Sequence, residues 1–135
     1  MSSLTDNLCY IDIVMNATEI SIAMIAEDIL AKEFTRVVTH YYPSVGELLD
    51  SCYVKVITCF WGKPARRLQY IAIYCSEEML PDIQAQKDVL REIADNMGLI
   101  QVVCMNAGRL LRDPMSKLKQ NNPRLWLELH WVAAS

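Results

Sequence analysis

The chain has 135 residues, a formal net charge of −3 and an apolar fraction of 53%. This length suits one domain with a buried core, and this composition excludes a disordered or fibrous chain. No apolar run approaches the roughly 20 residues of a membrane helix, and the first residues, MSSLTDN, do not resemble a signal peptide. We therefore expect one domain over residues 1–135 with no membrane partner.

The first predicted elements are a strand and a helix. Residues 8–15, LCYIDIVM, are rich in β-forming side chains and predict a strand. Asn16 with Glu19 three residues later resembles a capping box, and a helix is predicted from there to about Phe34. The run VVTHYYP then continues the helix or forms a short strand, and Pro43 ends it. The apolar residues at helical spacing are Ile22, Ile25, Ala26, Ile29 and Leu30.

A β-hairpin and a second helix follow. Residues 52–61, CYVKVITCFW, and 68–75, LQYIAIYC, predict two strands, and the Gly62-Lys63-Pro64 turn between them predicts a hairpin. The sequence Ser76-Glu77-Glu78 suits the start of a helix, with Pro81 in its first turn. Gly98 suits the position just after that helix, and residues 99–105 predict a fourth strand.

The element order β-α-β-β-α-β predicts a fold class. We expect an α+β domain, a ferredoxin-like antiparallel sheet over residues 8–105 with two helices on one face. The strands are apolar on both sides, so the other face needs cover from a partner subunit or from the C-terminal extension, residues 106–135. A short helix is expected near residues 115–120. Residues 124–132, RLWLELHWV, alternate in polarity and predict a fifth strand.

Chemical motifs are scarce in this chain. There is no phosphate-binding glycine loop, no nucleophile elbow, no CxxC pair and no second ligand beside either histidine, so no metal and no cofactor are predicted. Five cysteines lie in apolar runs, where free thiols act as small core residues, and a reduced, cytoplasmic protein is expected. These are Cys9, Cys52, Cys59, Cys75 and Cys104.

Charge is unevenly distributed and suggests a ligand site. Residues 51–76 contain four basic residues and no acidic residue. Cations beside aromatic rings suit an anionic metabolite or a nucleotide, whereas the acidic total argues against nucleic acid. The alternative is a hairpin kept soluble by its charges, with aromatic residues in the core. The predicted ligand-binding residues are Tyr53, Trp61, Lys63, Arg66, Arg67, Arg109 and Arg112.

Two resemblances extend this prediction. The runs IAEDILAKEFTRVVTHYYPSV and FWGKPARRLQYIAIYCS are similar to the pattern of CutA-like proteins of the PII-like group. The matching positions include Pro43, Val45, Trp61, Gly62 and Lys63, and the resemblance implies a homo-oligomer, a trimer, with ligands in clefts between subunits. The segment SVGELLDSCY resembles phage-type S-adenosylmethionine lyases, which implies a catalytic role for Tyr53.

Three functions remain open from the sequence. The first is an oligomeric protein that holds an anionic metabolite or nucleotide in an intersubunit cleft, as a phage-type sequestering or regulatory protein would. The second is an enzyme of the S-adenosylmethionine lyase type, although the loop after Trp61 contains no acid where those enzymes have a glutamate. The third is an inhibitor or scaffold that contacts a partner protein through the predicted C-terminal strand.

Overall fold

The computed structural model of the protein describes residues 17–113 and 117–134, so the predicted strand at 8–15 lies outside the described residues. Within the described part, three strands form one sheet and seven helices surround it. The strands are β1 (Tyr53–Trp61), β2 (Arg66–Cys75) and β3 (Val102–Asn106). The helices are α1 (Ala17–Tyr41), α2 (Pro43–Leu49), α3 (Leu80–Ala85), α4 (Lys87–Asn96), α5 (Ala107–Arg112), α6 (Leu118–Asn121) and α7 (Pro123–Ala133).

The ferredoxin-like prediction is wrong. The sheet has the order β1-β2-β3, with β1 antiparallel to β2 and β3 parallel to β2, so it is mixed and not antiparallel. The element order is α-β-β-α-β. The helical segment between β2 and β3 is a crossover connection, which places β3 parallel to β2 and beside it. The order of elements along the chain could not decide which strands become neighbours.

The predicted hairpin is confirmed. β1 and β2 pair from Tyr53 opposite Tyr74 to Trp61 opposite Arg66, and residues 62–65 form the turn. Gly62 has a φ of 89°, a left-handed conformation that glycine adopts without steric cost. The β-forming residues of the two strands and the Gly62 turn between them, all close in sequence, therefore determine the hairpin.

The two long helical segments depart from prediction at their ends. α1 continues to Tyr41, so VVTHY is the tail of the helix and not a strand, and Pro43 starts α2. The second helix is two short helices, α3 with Pro81 in its first turn and α4. α4 ends at Asn96, and Gly98 follows its C-cap as expected, with a φ of 79°; the Leu99 N–H donates to the Ala94 carbonyl and closes the helix end.

The predicted fifth strand is also wrong, because residues 124–132 lie in helix α7. Asn122 caps this helix by accepting a hydrogen bond from the Leu125 N–H, and Pro123 occupies the first turn, where its missing N–H costs nothing. The short helix expected near residues 115–120 is partly confirmed by α6, since residues 114–116 are not described. The helical face that α7 buries consists of Leu125, Leu129 and Val132.

The sheet separates two apolar clusters, as the period of two in each strand requires. One face packs against α1, α2, α3 and α4 through residues such as Phe34, Ile73 and Leu90. The other face packs against α5 and α7 through residues such as Tyr70 and Leu129. The sequence left open whether a partner subunit or the C-terminal extension covers the second face; the extension covers it, with a helix and not a strand.

Candidate functional site

A groove lies between α1 and the start of β1, and we call it the α1–β1 groove. Its volume is about 810 Å³, within the usual range for ligand pockets. Among the described strands β1 lies at the edge of the sheet, and α1 from one face and the start of α7 from the other meet beside it. The lining residues are Asp28, Ala31, Lys32, Thr35, Arg36, Thr39, His40, Leu49, Asp50, Cys52, Tyr53, Val54 and Arg124.

Helix α1 presents two faces because of its periodicity. Phe34 and Val38 point into the core, whereas Lys32 and Arg36, four residues apart, line the groove. Arg36 also pairs with the Glu33 carboxylate on the same helix, an exposed ion pair that contributes little to stability. The groove side of α1 therefore places two cations, one turn apart, where a ligand could reach them.

Arg124 contributes a third cation from α7. Its guanidinium lies 3.6 Å from the Asp28 carboxylate, and both side chains are substantially exposed. An exposed pair of this kind exchanges readily with water or with another anion. Two carboxylates, Asp28 and Asp50, also line the groove, so the site has mixed charge with an excess of cations.

Tyr53 is the aromatic residue of the groove. It is half-buried, and its ring lies 6.1 Å from that of Tyr74, directly opposite on β2. Desolvation raises the pKa of Tyr53, and the nearby Arg124 guanidinium offsets part of that effect. The hydroxyl therefore stays protonated at neutral pH and can donate a hydrogen bond to an anion.

The predicted cationic residues of the hairpin lie elsewhere. Trp61, Lys63, Arg66 and Arg67 are all exposed at the turn, which we call the hairpin tip, residues 61–67. Trp61 is eight residues from Tyr53 on β1, so the two rings are about 26 Å apart at the usual rise of a strand. One small ligand therefore cannot contact both aromatic residues within one subunit.

Arg109 and Arg112 form a separate set. Both are exposed on the short helix α5, which follows the C-terminal end of β3. The Arg109 backbone N–H donates to the Asn106 side chain that caps this helix. Neither arginine lines the α1–β1 groove, and the parallel pairing of β2 and β3 places α5 at the end of the sheet away from the hairpin tip.

A second cavity, of about 570 Å³, lies between the end of α1 and α4. It shares Arg36 and His40 with the α1–β1 groove, and Tyr42, Glu92 and Met97 also line it. Among the described residues that line it, Arg36 is the one Lys or Arg side chain, whereas the groove has three, so this cavity fits an anionic ligand less well than the groove does.

Among the predicted site residues, only Tyr53 lies in the groove. Lys32, Arg36 and Arg124 were missed, and the four-residue spacing of Lys32 and Arg36 opposite the core stripe of α1 was the one sequence signal for them. Within the described residues no group of three or more metal-ligating side chains is close enough to hold an ion. None of the helices described is long and apolar enough to cross a membrane.

Comparison of the chain with protein-family models, with curated proteins and with solved structures found no match. The residues of the groove are therefore the basis for a functional interpretation.

Proposed function

We propose that the protein binds a small anionic metabolite or nucleotide in the α1–β1 groove and does so without transforming it. The observation behind this proposal is the convergence of Lys32, Arg36 and Arg124 beside Tyr53 in the largest cavity described. Charged donors suit phosphate or carboxylate groups, and an aromatic ring suits a planar base.

The ligand class follows from the groove's shape and charge. Three cations and two carboxylates match a ligand that has both an anionic group and polar donors, as a nucleotide has. The Asp28–Arg124 pair would open to admit the anionic group, at low cost because both side chains are exposed. The Tyr53 hydroxyl would donate a hydrogen bond to the anionic group, or its ring would stack on the base.

Isothermal titration calorimetry against a panel of nucleoside mono-, di- and triphosphates tests this proposal. We expect at least one panel member to bind, and the Lys32→Ala/Arg36→Ala double variant to weaken that binding by tenfold or more. Tyr53→Phe, which keeps the ring, separates stacking from hydrogen bonding.

The matched control is the triple variant Lys63→Ala/Arg66→Ala/Arg67→Ala at the hairpin tip, which removes more positive charge from an exposed site. It should bind as the wild type does. The proposal is refuted if no panel member binds, or if the triple variant loses binding while the groove variant retains it.

We also propose that the protein self-associates. Ile22, Ile25 and Ile29 recur at helical spacing on α1 and are 62%, 59% and 62% exposed, an apolar stripe that favours burial against another copy. Native mass spectrometry should detect an oligomer that Ile25→Glu/Ile29→Glu dissociates. The control, Lys63→Glu at the hairpin tip, should leave it intact, and a monomeric wild type would contradict this part of the proposal.

A further inference from the structure

Three thiols form a row across the sheet. Cys52 immediately precedes β1, Cys75 ends β2, and Cys104 lies in β3 opposite Ile73. All three contribute to the same apolar cluster, on the face of the sheet that α1 and α4 cover. The sequence, without CxxC spacing, gave no reason to group them, because only strand pairing brings them together.

Cys52 and Cys75 lie directly opposite each other in this row. The register pairs Tyr53 with Tyr74, so the next residues outward on the two strands are Cys52 and Cys75. Opposed residues of antiparallel strands have Cα atoms about 4.5 to 5.5 Å apart, and a disulfide spans about 4.4 to 6.8 Å. The two thiols are close enough for each to shift the pKa of the other.

The pair combines an accessible thiol with a buried one. Cys52 is half-buried and lines the α1–β1 groove, whereas Cys75 is fully buried behind it. In the reduced protein the Cys52 thiol donates to the Leu48 carbonyl and the Cys75 thiol to the Met105 carbonyl. The neighbouring Cys52 thiol lowers the pKa of Cys75, whereas Cys75 together with burial raises the pKa of Cys52.

We propose that Cys52 and Cys75 are a redox-active pair that forms a reversible disulfide between β1 and β2 at the wall of the α1–β1 groove. This inference does not depend on the proposed ligand. The oxidant is a peroxide that enters through the groove. Cys104, two residues along its strand from the position opposite Cys75, lies beside the pair but is not part of the bond.

The chemistry balances with peroxide as the only other reactant. The Cys52 sulfur attacks one peroxide oxygen, the O–O bond breaks, and the departing oxygen takes the Cys52 proton and leaves as water. Cys52 is then a sulfenic acid. The Cys75 sulfur attacks the Cys52 sulfur, the S–S bond forms, the S–O bond breaks, and the hydroxyl leaves with the Cys75 proton as water. Two thiols are oxidised, and one peroxide is reduced to water.

Cys59 is the internal comparison for this pair. It is fully buried on the opposite face of the sheet, in the cluster with Tyr70 and Leu129. Burial raises its pKa, and it belongs to a cluster that contains none of the other described cysteines. A buried thiol of this kind is expected to be inert.

Peptide mapping after mild peroxide treatment tests the proposal. Tryptic cleavage after Lys55, Arg67, Lys87 and Arg91 separates the four described cysteines into different peptides. We expect the Cys52 and Cys75 peptides to be joined in the wild type and to separate after reduction. Cys59→Ser and Cys104→Ser should form the same bond.

Cys75→Ala, which keeps the buried position apolar, should instead trap a sulfenic acid at Cys52 that reacts with dimedone. Cys52→Ser provides a second variant at a half-buried site and should abolish the crosslink without perturbing the fold. A crosslink between Cys75 and Cys104, or a wild type in which both Cys52 and Cys75 remain free thiols after treatment, would overturn the proposal.

Discussion

The two ends of β1 differ in how they are built. At Tyr53 the strand begins inside a groove formed by α1, α2 and α7, and residues distant in sequence meet there. At Trp61 the strand ends in an exposed turn whose cations are neighbours in sequence and lie on or between the two paired strands. The hairpin tip has the higher density of positive charge, but the groove has the geometry of a binding site.

This difference shows why charge alone is a poor guide to a site. Four basic residues without an acid made the hairpin conspicuous in the sequence, yet exposed cations are commonly a solubilising surface. The groove has only a small excess of cations, but α1 and α7 hold them around one aromatic ring. The comparison predicts that substitutions at the groove end disturb stability and binding, whereas those at the tip disturb neither.

The largest expected difference concerns the side chain that anchors α1. Phe34 is fully buried against the sheet, whereas Trp61 at the tip is 49% exposed. Phe34→Ala should lower the free energy of unfolding by about 3 to 5 kcal/mol, and Trp61→Ala by less than about 1 kcal/mol. Urea denaturation measures both values. Equal losses would show that the tip is as firmly integrated as the groove end.

The next effect concerns the packing of α2 on α1. A Cβ at Gly46 would lie 2.8 Å from the Cα of Thr39, a groove residue whose backbone cannot easily move. Gly46→Ala should therefore destabilise the protein by about 1 to 3 kcal/mol. Ser44→Ala, on the exposed part of α2, is the control and should change stability by less than about 0.5 kcal/mol. A Gly46→Ala protein as stable as the wild type would show that the packing of Gly46 against Thr39 can accommodate a methyl group.

A smaller effect is expected at the start of α7, the helix that places Arg124 in the groove. Asn122→Ala removes the cap of this helix and should cost about 1 kcal/mol of unfolding free energy. Asn121→Ala, one residue earlier and exposed, should cost almost nothing. Thermal unfolding followed by circular dichroism distinguishes them. If residues 124–132 formed a strand instead, the two variants would behave alike.

The last expected effect is a pH dependence beneath the groove, and it is confined to alkaline pH. Burial raises the pKa of Tyr74 to about 12, whereas an unfolded tyrosine ionises near pH 10. Because the folded state holds this proton more tightly, its contribution to stability is complete below pH 10 and is lost as the pH rises towards 12. Unfolding free energies measured across that range should fall, and Tyr74→Phe should flatten the curve. An equally steep fall in the variant would exclude Tyr74 as the cause.

Local signals in the sequence predicted the hairpin and several helix ends. Alternation and the Gly62 turn determine the hairpin, and Gly98 marks the end of α4, because each depends on residues close in sequence. The C-terminal segment was misread since Leu125, Leu127, Leu129 and Trp131 alternate as in a strand, while Leu125, Leu129 and Val132 fit a helix equally well. Asn122-Pro123 was the signal for the helix.

The sheet order and the groove could not be predicted, because both depend on contacts distant in sequence. Nothing in residues 99–105 indicates that this strand pairs parallel to β2 and not beside β1. Arg124 reaches Asp28 only once α7 has folded against the sheet, and Cys52 meets Cys75 only through strand register. Tyr53 was predicted as a site residue, but its partners in the groove were not.

The most direct test of the groove as the ligand site is a two-dimensional NMR titration of the labelled protein with adenosine diphosphate. We expect the largest amide shift changes at Lys32, Arg36, Tyr53 and Arg124, and essentially none across residues 61–67. Shift changes confined to residues 61–67, or an unchanged spectrum at millimolar nucleotide, would contradict the assignment of the ligand site to the α1–β1 groove.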